Sequence, residues 1–142
     1  MPPKKKLSLF KWKFSTWWNI NAGNDGPNHG YGPKMNEKRL ESPEKTQIFA
    51  SDLAKNIEPG TVVALIGNLG AGKTTFAQGF AKGMGFNNHI ISPTFKLISE
   101  YVGKVNLYHI DCYRLDSSFD FLNIGGEQYL NPIDGVTLIE WP

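Results

Sequence analysis

Hydrophobic and polar positions follow two different periods along residues 42–142, and they predict helices and strands in turn. Ser42-Pro43 is a helix start, an N-cap residue followed by proline, and Glu58-Pro59-Gly60 ends that helix. The continuous apolar run TVVALI at 61–66 is typical of a strand that is buried on both faces. Apolar residues at helical spacing form one stripe on each of two predicted helices: Ile48, Phe49, Leu53 and Ala54 on the first, and Phe76, Ala77, Phe80, Ala81 and Met84 on the second.

The second half of the chain continues with strand-like segments. FKLISEYV at 95–102 and VNLYHID at 105–111 are two such segments, and Gly103-Lys104 is short enough to join them as a hairpin. A short helix is expected from Asp116 to Leu122, and VTLIEW at 136–141 is predicted to be another strand. This order of elements predicts an α/β fold, in which flanking helices cover a sheet of mixed parallel and antiparallel strands.

The stretch GNLGAGKTT at 67–75 lies between the first predicted strand and the second predicted helix. It matches G-x-x-x-x-G-K-[ST] in the strand–loop–helix context of P-loop NTPases, whose backbone N–H groups bind phosphate. In this interpretation Lys73 reaches the β- and γ-phosphates, Thr74 faces Mg²⁺ and Thr75 binds the α-phosphate. A glycine-rich structural turn is the alternative. The predicted nucleotide-binding residues are Asn68, Leu69, Gly70, Ala71, Gly72, Lys73, Thr74 and Thr75.

Hydrolysis of a nucleotide needs a carboxylate near the metal, and two candidates end apolar strands. Asp111 ends LYHID and Glu140 ends TLIE, so both are expected at the carboxyl edge of the sheet, where ligands bind in open α/β folds. Each of them could instead cap a turn. His109 shares a strand face with Asp111 and could be a site residue, although a packed, hydrogen-bonded histidine is the more common outcome.

Two further segments carry weaker signals for the same site. Ser92 and Thr94 belong to a Ser-Pro-Thr segment in the loop after the second helix, where nucleotide hydrolases place a threonine that senses the γ-phosphate. We predict a switch-like loop there, although an ordinary turn has the same composition. Trp141 could stack on the base, or it could be a core residue. No N-K-x-D-like segment for reading guanine occurs in the sequence, which favours ATP over GTP.

The first 34 residues differ in charge from the rest of the chain. They carry six Lys and one Asp, a net charge of +5, whereas residues 35–142 carry nine Lys plus Arg and twelve Asp plus Glu, a net charge of −3. We predict a basic, aromatic and disordered arm over 1–34 and a P-loop ATPase domain over 35–142. The alternatives are an arm that binds a membrane surface or nucleic acid, and a true start at Met35.

The bulk composition is that of a globular protein, with 40% hydrophobic and 20% charged residues. No apolar run approaches the roughly 20 residues that a membrane span needs. Cys112 is the only cysteine, which excludes an intrachain disulfide and a cysteine-rich zinc site. A single cysteine fits a reducing compartment, so we expect the protein in the cytoplasm.

Four segments in this order, GNLGAGKTTF, SPTFKLISEY, LYHIDCYRL and LIEWP, resemble the TsaE (YjeE) family of bacterial ATPases in tRNA threonylcarbamoyladenosine biosynthesis. The resemblance covers about residues 40–142 and implies ATP and Mg²⁺ as cofactors. It also implies an ATPase that is weak alone and depends on TsaD-like and TsaB-like partners, and that meets tRNA only through their complex. By matching position, Lys73, Asp111 and Glu140 are implied to be catalytic, and Thr74, Asp111 and Glu140 to surround the metal.

The sequence departs from the family pattern at three places. Asn68 stands where the family usually has an acidic residue. The segment 116–130 is poorer in Glu than family members, and Gly126 breaks its usual form. Family members continue past the Glu-Trp-Pro segment with further strands, so the resemblance predicts a sheet that is truncated at its C-terminal side.

Two other classes of function remain open at this point. A small-molecule kinase shares the phosphate loop but also needs an arginine-rich lid, and only Arg39 and Arg114 occur here. A non-catalytic module that binds nucleotide or nucleic acid draws its support from the basic arm alone.

Overall fold

The computed structural model describes residues 10–16, 34–67, 70–87 and 97–141. The chain divides into two compact units, residues 1–42 and residues 43–142.

The first unit contains a two-stranded antiparallel sheet. Strand β1 spans Phe10–Thr16 and strand β2 spans Lys34–Leu40. We expected a disordered arm over 1–34, and β1 departs from that expectation over seven residues. The sequence FKWKF alternates aromatic and basic residues with the period of two that is typical of strands, and this signal was missed. The proposed boundary at residues 34 and 35 stays a prediction.

The second unit contains the predicted helices and strands in the predicted order. Among the described residues, no helix is both long enough and apolar enough to cross a membrane. The elements are α1 at Pro43–Lys55, β3 at Val62–Ile66, α2 at Lys73–Gly83, β4 at Ile98–Tyr101, β5 at Asn106–Asp111, α3 at Ser118–Asn123, a 3-10 turn at Gly126–Tyr129 and β6 at Gly135–Trp141.

Four of these strands form one mixed sheet in the order β3-β6-β5-β4. Strands β3, β6 and β5 are parallel, and β4 pairs antiparallel with β5 through the predicted hairpin. The predicted α/β fold with a mixed sheet and flanking helices is therefore confirmed. Because the three parallel strands end at the same edge, the loop after β3 and the last residues of β5 and β6 are neighbours.

One face of this sheet, the helix face, includes Leu65, Leu107, His109, Leu138 and Glu140, which share a side by register. None of these five side chains is more than 4% exposed. Residues of α3 and the 3-10 turn pack on the opposite face of the sheet. This leaves helices α1 and α2, which bury aromatic and small side chains, to cover the helix face. As predicted, the stripe residues within α2 (Phe76, Ala77, Phe80 and Ala81) are buried, and Phe76 is stacked on Phe80 at a centroid distance of 6.1 Å, whereas Met84 follows the helix and is partly buried.

Helices α1 and α2 pack so closely that α2 needs glycine at two positions one turn apart. A Cβ atom on Gly79 would lie 2.4 Å from the backbone oxygen of Gln47, and one on Gly83 would lie 2.3 Å from that of Ser51. This contact corrects the predicted stripe of α1. Ile48 is 62% exposed, and the buried residues of α1 are Thr46, Ala50 and Ala54. The buried side chains of α1 are small because the backbones of α1 and α2 lie close together at this contact.

The opposite face, the groove face, is formed by Ala64, Ile66, Tyr108, Ile110 and Ile139. Ile110 and Ile139 pack with Cys112 and Tyr129, but Ile66 is 70% exposed. The expectation that β3 is buried on both faces was therefore wrong within the described sheet, where β3 is an edge strand. Beside it lies an open apolar groove of about 450 Å³, lined by Ala64, Ile66, Ser118, Phe121, Leu130 and Ile139.

Helix α3, at the side of this groove, is fixed by a capping box. The Ser117 hydroxyl accepts from the Asp120 N–H at 3.3 Å, and the Asp120 carboxylate accepts from the Ser117 N–H at 3.1 Å. The left-handed Gly125 follows the helix with φ 76°, a backbone conformation that commonly ends helices.

Candidate functional site

The glycine-rich loop connects the end of β3 to the start of α2, as the motif requires. Gly70 and Gly72 both have left-handed backbones, with φ of 80° and 91°. A side chain at either position would be strained, whereas glycine adopts this conformation freely. Gly72 is also the N-cap of α2, and its carbonyl accepts the first helical hydrogen bond from the Phe76 N–H at 2.9 Å. Of the predicted loop residues, Asn68 and Leu69 lie outside the described residues.

The first turn of α2 presents positive potential without a competing acid. It reads Lys73, Thr74 and Thr75, and it contains no acidic residue and no side-chain cap. The backbone N–H groups of a first helical turn have no partners within the helix and favour an anion. The Lys73 ammonium donates to the carbonyl oxygen of Gly67 at 2.5 Å, so this side chain curls back along its own loop. The described part of the loop thus has the backbone geometry and the charge of a phosphate site.

The two predicted carboxylates lie opposite each other on neighbouring strands. Asp111 of β5 pairs with Glu140 of β6, and Glu140 also pairs with Leu65 of β3, two residues before the loop begins. Glu140 is only 4% exposed, whereas Asp111 is half-buried and accepts a hydrogen bond from the Tyr113 N–H at 3.0 Å. The structure therefore brings Asp111, Glu140 and the start of the loop to one edge. The turn-capping alternative describes Asp111 better than Glu140.

Glu140 has a buried partner on the helix face. The Nε2 atom of His109 lies 2.7 Å from the Glu140 Oε1 atom, and the His109 side chain is fully buried. His109 was considered a packed, hydrogen-bonded histidine, but its bond to Glu140 was not predicted. Two-residue spacing placed His109 on the face of Asp111, and only the register between β5 and β6 adds Glu140 to that face.

The structure describes the remaining predicted site residues only in part. Ser92 and Thr94 of the switch-like loop lie outside the described residues. Trp141 ends β6 opposite Ile66 of β3, and its side chain also lies outside them.

The donor set at this edge fits a magnesium ion that shares the phosphates of a nucleotide. In the described ranges, no three His, Cys, Asp or Glu side chains gather closely enough to hold a metal ion by themselves. Mg²⁺ is usually bound by one or two carboxylates together with substrate phosphates and water. Glu140 offers one carboxylate oxygen beyond the one bonded to His109, and Thr74 offers a hydroxyl at the start of α2.

The thiol next to Asp111 is not suited to chemistry at this edge. Cys112 is buried and free, and burial, with a smaller contribution from the Asp111 charge, raises its pKa to about 11. Since the thiolate is the reactive form, Cys112 is a poor nucleophile at neutral pH. It packs with Ile110 and Ile139 as a small hydrophobic side chain.

Comparison with known proteins identifies a family whose model matches most of the chain. Residues 40–142 match the family model described as "Threonylcarbamoyl adenosine biosynthesis protein TsaE". The tRNA threonylcarbamoyladenosine biosynthesis protein TsaE of Bacillus subtilis is 43% identical over 104 residues, which cover 72% of this chain and 64% of the relative. The protein of the same name from Synechocystis is 40% identical over 116 residues, covering 76% of this chain and 73% of the relative.

A solved structure supports the same fold. The crystal structure of Bacillus subtilis YdiB superposes with a TM-score of 0.56 at 31% sequence identity, covering 94% of this chain and 66% of that one. The chain thus spans slightly less than two thirds of the length of the two Bacillus subtilis proteins.

Proposed function

Since this chain belongs to the TsaE family, we propose that it binds and hydrolyses ATP as one subunit of the machinery that makes threonylcarbamoyladenosine in tRNA. One observation carries the proposal. A glycine-rich loop with left-handed backbones at Gly70 and Gly72 leads into α2, a helix without a side-chain cap, at the sheet edge where Glu140 lies one residue before the end of β6. A surface turn needs neither the helix behind it nor the buried carboxylate beside it.

The residues at the carboxyl edge of the sheet have different roles in the proposed reaction. The N–H groups at the start of α2 hold phosphate oxygens, and Lys73 leaves the Gly67 carbonyl to neutralise the β- and γ-phosphates. When bound, Mg²⁺ would neutralise charge between the β- and γ-phosphates. Thr74 and Glu140 would hold the magnesium ion. Asp111 lies opposite Glu140 on the neighbouring strand and would orient groups at this edge of the sheet.

Family membership supports a proposal about the partners. The relatives are named for tRNA threonylcarbamoyladenosine biosynthesis, a modification of tRNA that the described residues do not explain by themselves. We therefore place the chain in a complex with TsaD-like and TsaB-like proteins, in the cytoplasm, with tRNA contacted through the complex. ATP hydrolysis would be slow in the isolated chain and faster in the presence of these partners.

Release of phosphate from ATP, with and without the two partner proteins, tests this function. We expect hydrolysis that the partners stimulate and that Lys73→Ala lowers by about 10²–10³-fold, the usual cost of removing one charge-stabilising group. Lys82→Ala is the matched control, because Lys82 is an exposed lysine in the last turn of the same helix. Hydrolysis that is equal in the wild type and Lys73→Ala would contradict the proposal. Transfer of labelled phosphate to a metabolite instead of water would support the kinase alternative.

A further inference from the structure

We propose that His109 is a positioning residue, which holds the Glu140 carboxylate in the orientation that the magnesium–nucleotide complex requires. The inference rests on the proposed function and extends it to a residue that makes no direct contact with the nucleotide. It starts from the only polar pair that is buried on the helix face among the described residues, His109 and Glu140.

The backbone places these two side chains diagonally on neighbouring strands. His109 of β5 pairs with Leu138 of β6, and the next residue of β6 on the same face is Glu140. This register brings the His109 Nε2 atom to 2.7 Å from Glu140 Oε1, the length of a strong hydrogen bond. Both side chains are surrounded by protein, at 0% and 6% side-chain exposure, so water does not compete for the bond.

The hydrogen-bonding capacity of the pair favours one placement of hydrogen on the His109 ring. An ionised carboxylate only accepts, so Nε2 must donate. The second ring nitrogen, Nδ1, is buried and has no partner among the described residues. A buried N–H without a partner costs more than an unpaired acceptor, which favours the tautomer with hydrogen on Nε2 and a bare Nδ1.

This arrangement commits one oxygen of Glu140 and leaves the other available. Oε1 accepts from His109, and rotation of the carboxylate is restricted as long as that bond persists. A buried ion pair or charged hydrogen bond is weak evidence for stability, because its desolvation cost offsets most of the gain. Its consequence for function is more direct, since partners of metal-binding carboxylates orient them and commonly change metal affinity or activity about 10–100-fold.

Nucleotide binding with and without magnesium tests the positioning role. The probe is ADP, titrated calorimetrically into the full chain in the presence of Mg²⁺ or of EDTA. We expect His109→Leu to reduce the Mg²⁺-dependent gain in affinity by about 10-fold or more while ADP alone binds as in the wild type. His109→Gln places an amide N–H near the position of Nε2 and should recover most of the gain.

A matched control separates this role from the loss of any buried polar group. Thr137 lies on β6, is fully buried on the opposite face and donates to the Tyr129 carbonyl at 2.6 Å. Thr137→Val should lower stability and leave the Mg²⁺-dependent gain unchanged. If His109→Leu binds ADP with the wild-type gain, the positioning role is excluded while the proposed function stands. If the wild type binds no nucleotide at all, both are excluded.

A second measurement tests the tautomer without using activity. Long-range ¹H–¹⁵N spectra of the histidine rings distinguish hydrogen on Nε2 from hydrogen on Nδ1. The chain has three histidines, and the signals lost in His109→Gln identify those of His109. We expect the Nε2–H form, and His109→Leu would keep its native circular dichroism spectrum. Hydrogen on Nδ1 alone would leave Nε2 unable to donate to Glu140 and would overturn the inference.

Discussion

At strand β3 the two faces of the four-stranded sheet are buried to very different extents, and the strand residues proposed for chemistry, Asp111 and Glu140, belong to the helix face. On the helix face, Leu65, Leu107 and Leu138 are each within 1% of full burial, and His109 and Glu140 continue that layer to the carboxyl edge. On the groove face, Ile66 is 70% exposed and borders an open apolar groove. Adjacent residues of one strand therefore face entirely different surroundings.

The difference bears on the proposed nucleotide site. A hydrogen bond between His109 and Glu140 is effective only where water is excluded, and burial on the helix face provides that condition. The groove face stabilises the sheet through a smaller cluster around Ile110, Tyr129 and Ile139.

The largest effect is expected from removing the charge of the helix-face carboxylate. Glu140→Gln should lower ATP hydrolysis by about 10²-fold or more, since a group that stabilises charge in the transition state is lost. Glu100→Gln is the control, because Glu100 lies on β4 on the groove side and accepts a hydrogen bond from Tyr129. Steady-state phosphate release measures both variants. Equal losses of ATP hydrolysis in the two variants would contradict the assignment of the catalytic carboxylate to the helix face.

Two neighbouring residues of β3 compare the faces in stability. Leu65→Ala should lower the free energy of unfolding by about 2–5 kcal/mol, because Leu65 is 1% exposed and its removal leaves a cavity. Ile66→Ala should change it by about 0.5 kcal/mol or less, since most of the Ile66 side chain is already in water. Urea denaturation measures both. Similar losses in the two variants would show that the groove face is covered in solution.

The close approach of α1 and α2 can be tested by whether a substitution at their contact raises or lowers the free energy of unfolding. Glycine to alanine inside a helix normally stabilises by about 0.5–1 kcal/mol. Gly79→Ala should instead destabilise by roughly 1–3 kcal/mol, because the added Cβ would overlap the Gln47 carbonyl and force the helices apart. Lys82→Ala, on the exposed side of the same helix, should be close to neutral. A stabilising Gly79→Ala would mean that α1 and α2 lie farther apart.

The smallest effect is a pH dependence on the groove side. The hydrogen bond to Glu100, followed by burial, raises the pKa of Tyr129 to about 12 from its ordinary value of 10.0. The unfolded chain therefore loses this proton first, and the stability that it contributes is complete below pH 10 and is lost as pH rises towards 12. At pH 10.5 the loss should be about 1 kcal/mol or less.

Urea denaturation at pH 8 and pH 10.5 measures that loss, with Tyr129→Phe as the comparison. The variant should lose less stability over this pH interval than the wild type. An identical decline in both proteins would show that other groups, such as lysines, account for it.

Local patterns were sufficient to predict most of the fold. The spacing of Phe76 and Phe80 predicted α2, and the apolar run before Gly67 predicted β3, because both depend on residues close in sequence. The exposure of Ile66 could not be predicted, since it depends on the position of β3 at the edge of the sheet. The exposure of Ile48 likewise depends on how closely another helix approaches α1.

The candidate site shows the same division. The loop and the strand-end carboxylates were predicted because a short motif and a strand end are local features. The bond between His109 and Glu140 joins residues 31 positions apart and depends on the register of β5 against β6. No single-sequence pattern encodes that register, although the i, i+2 spacing of His109 and Asp111 already indicated one shared face.

The most direct test of the account is calorimetric titration of the full chain with ATP in the presence of Mg²⁺. The account predicts stoichiometric binding of one nucleotide that weakens at least about 10-fold in Lys73→Ala and loses its Mg²⁺ dependence in Glu140→Gln, while Lys82→Ala and Glu100→Gln bind as the wild type does. A folded wild-type chain that takes up no magnesium nucleotide, or that binds it equally well without Lys73, would contradict the account.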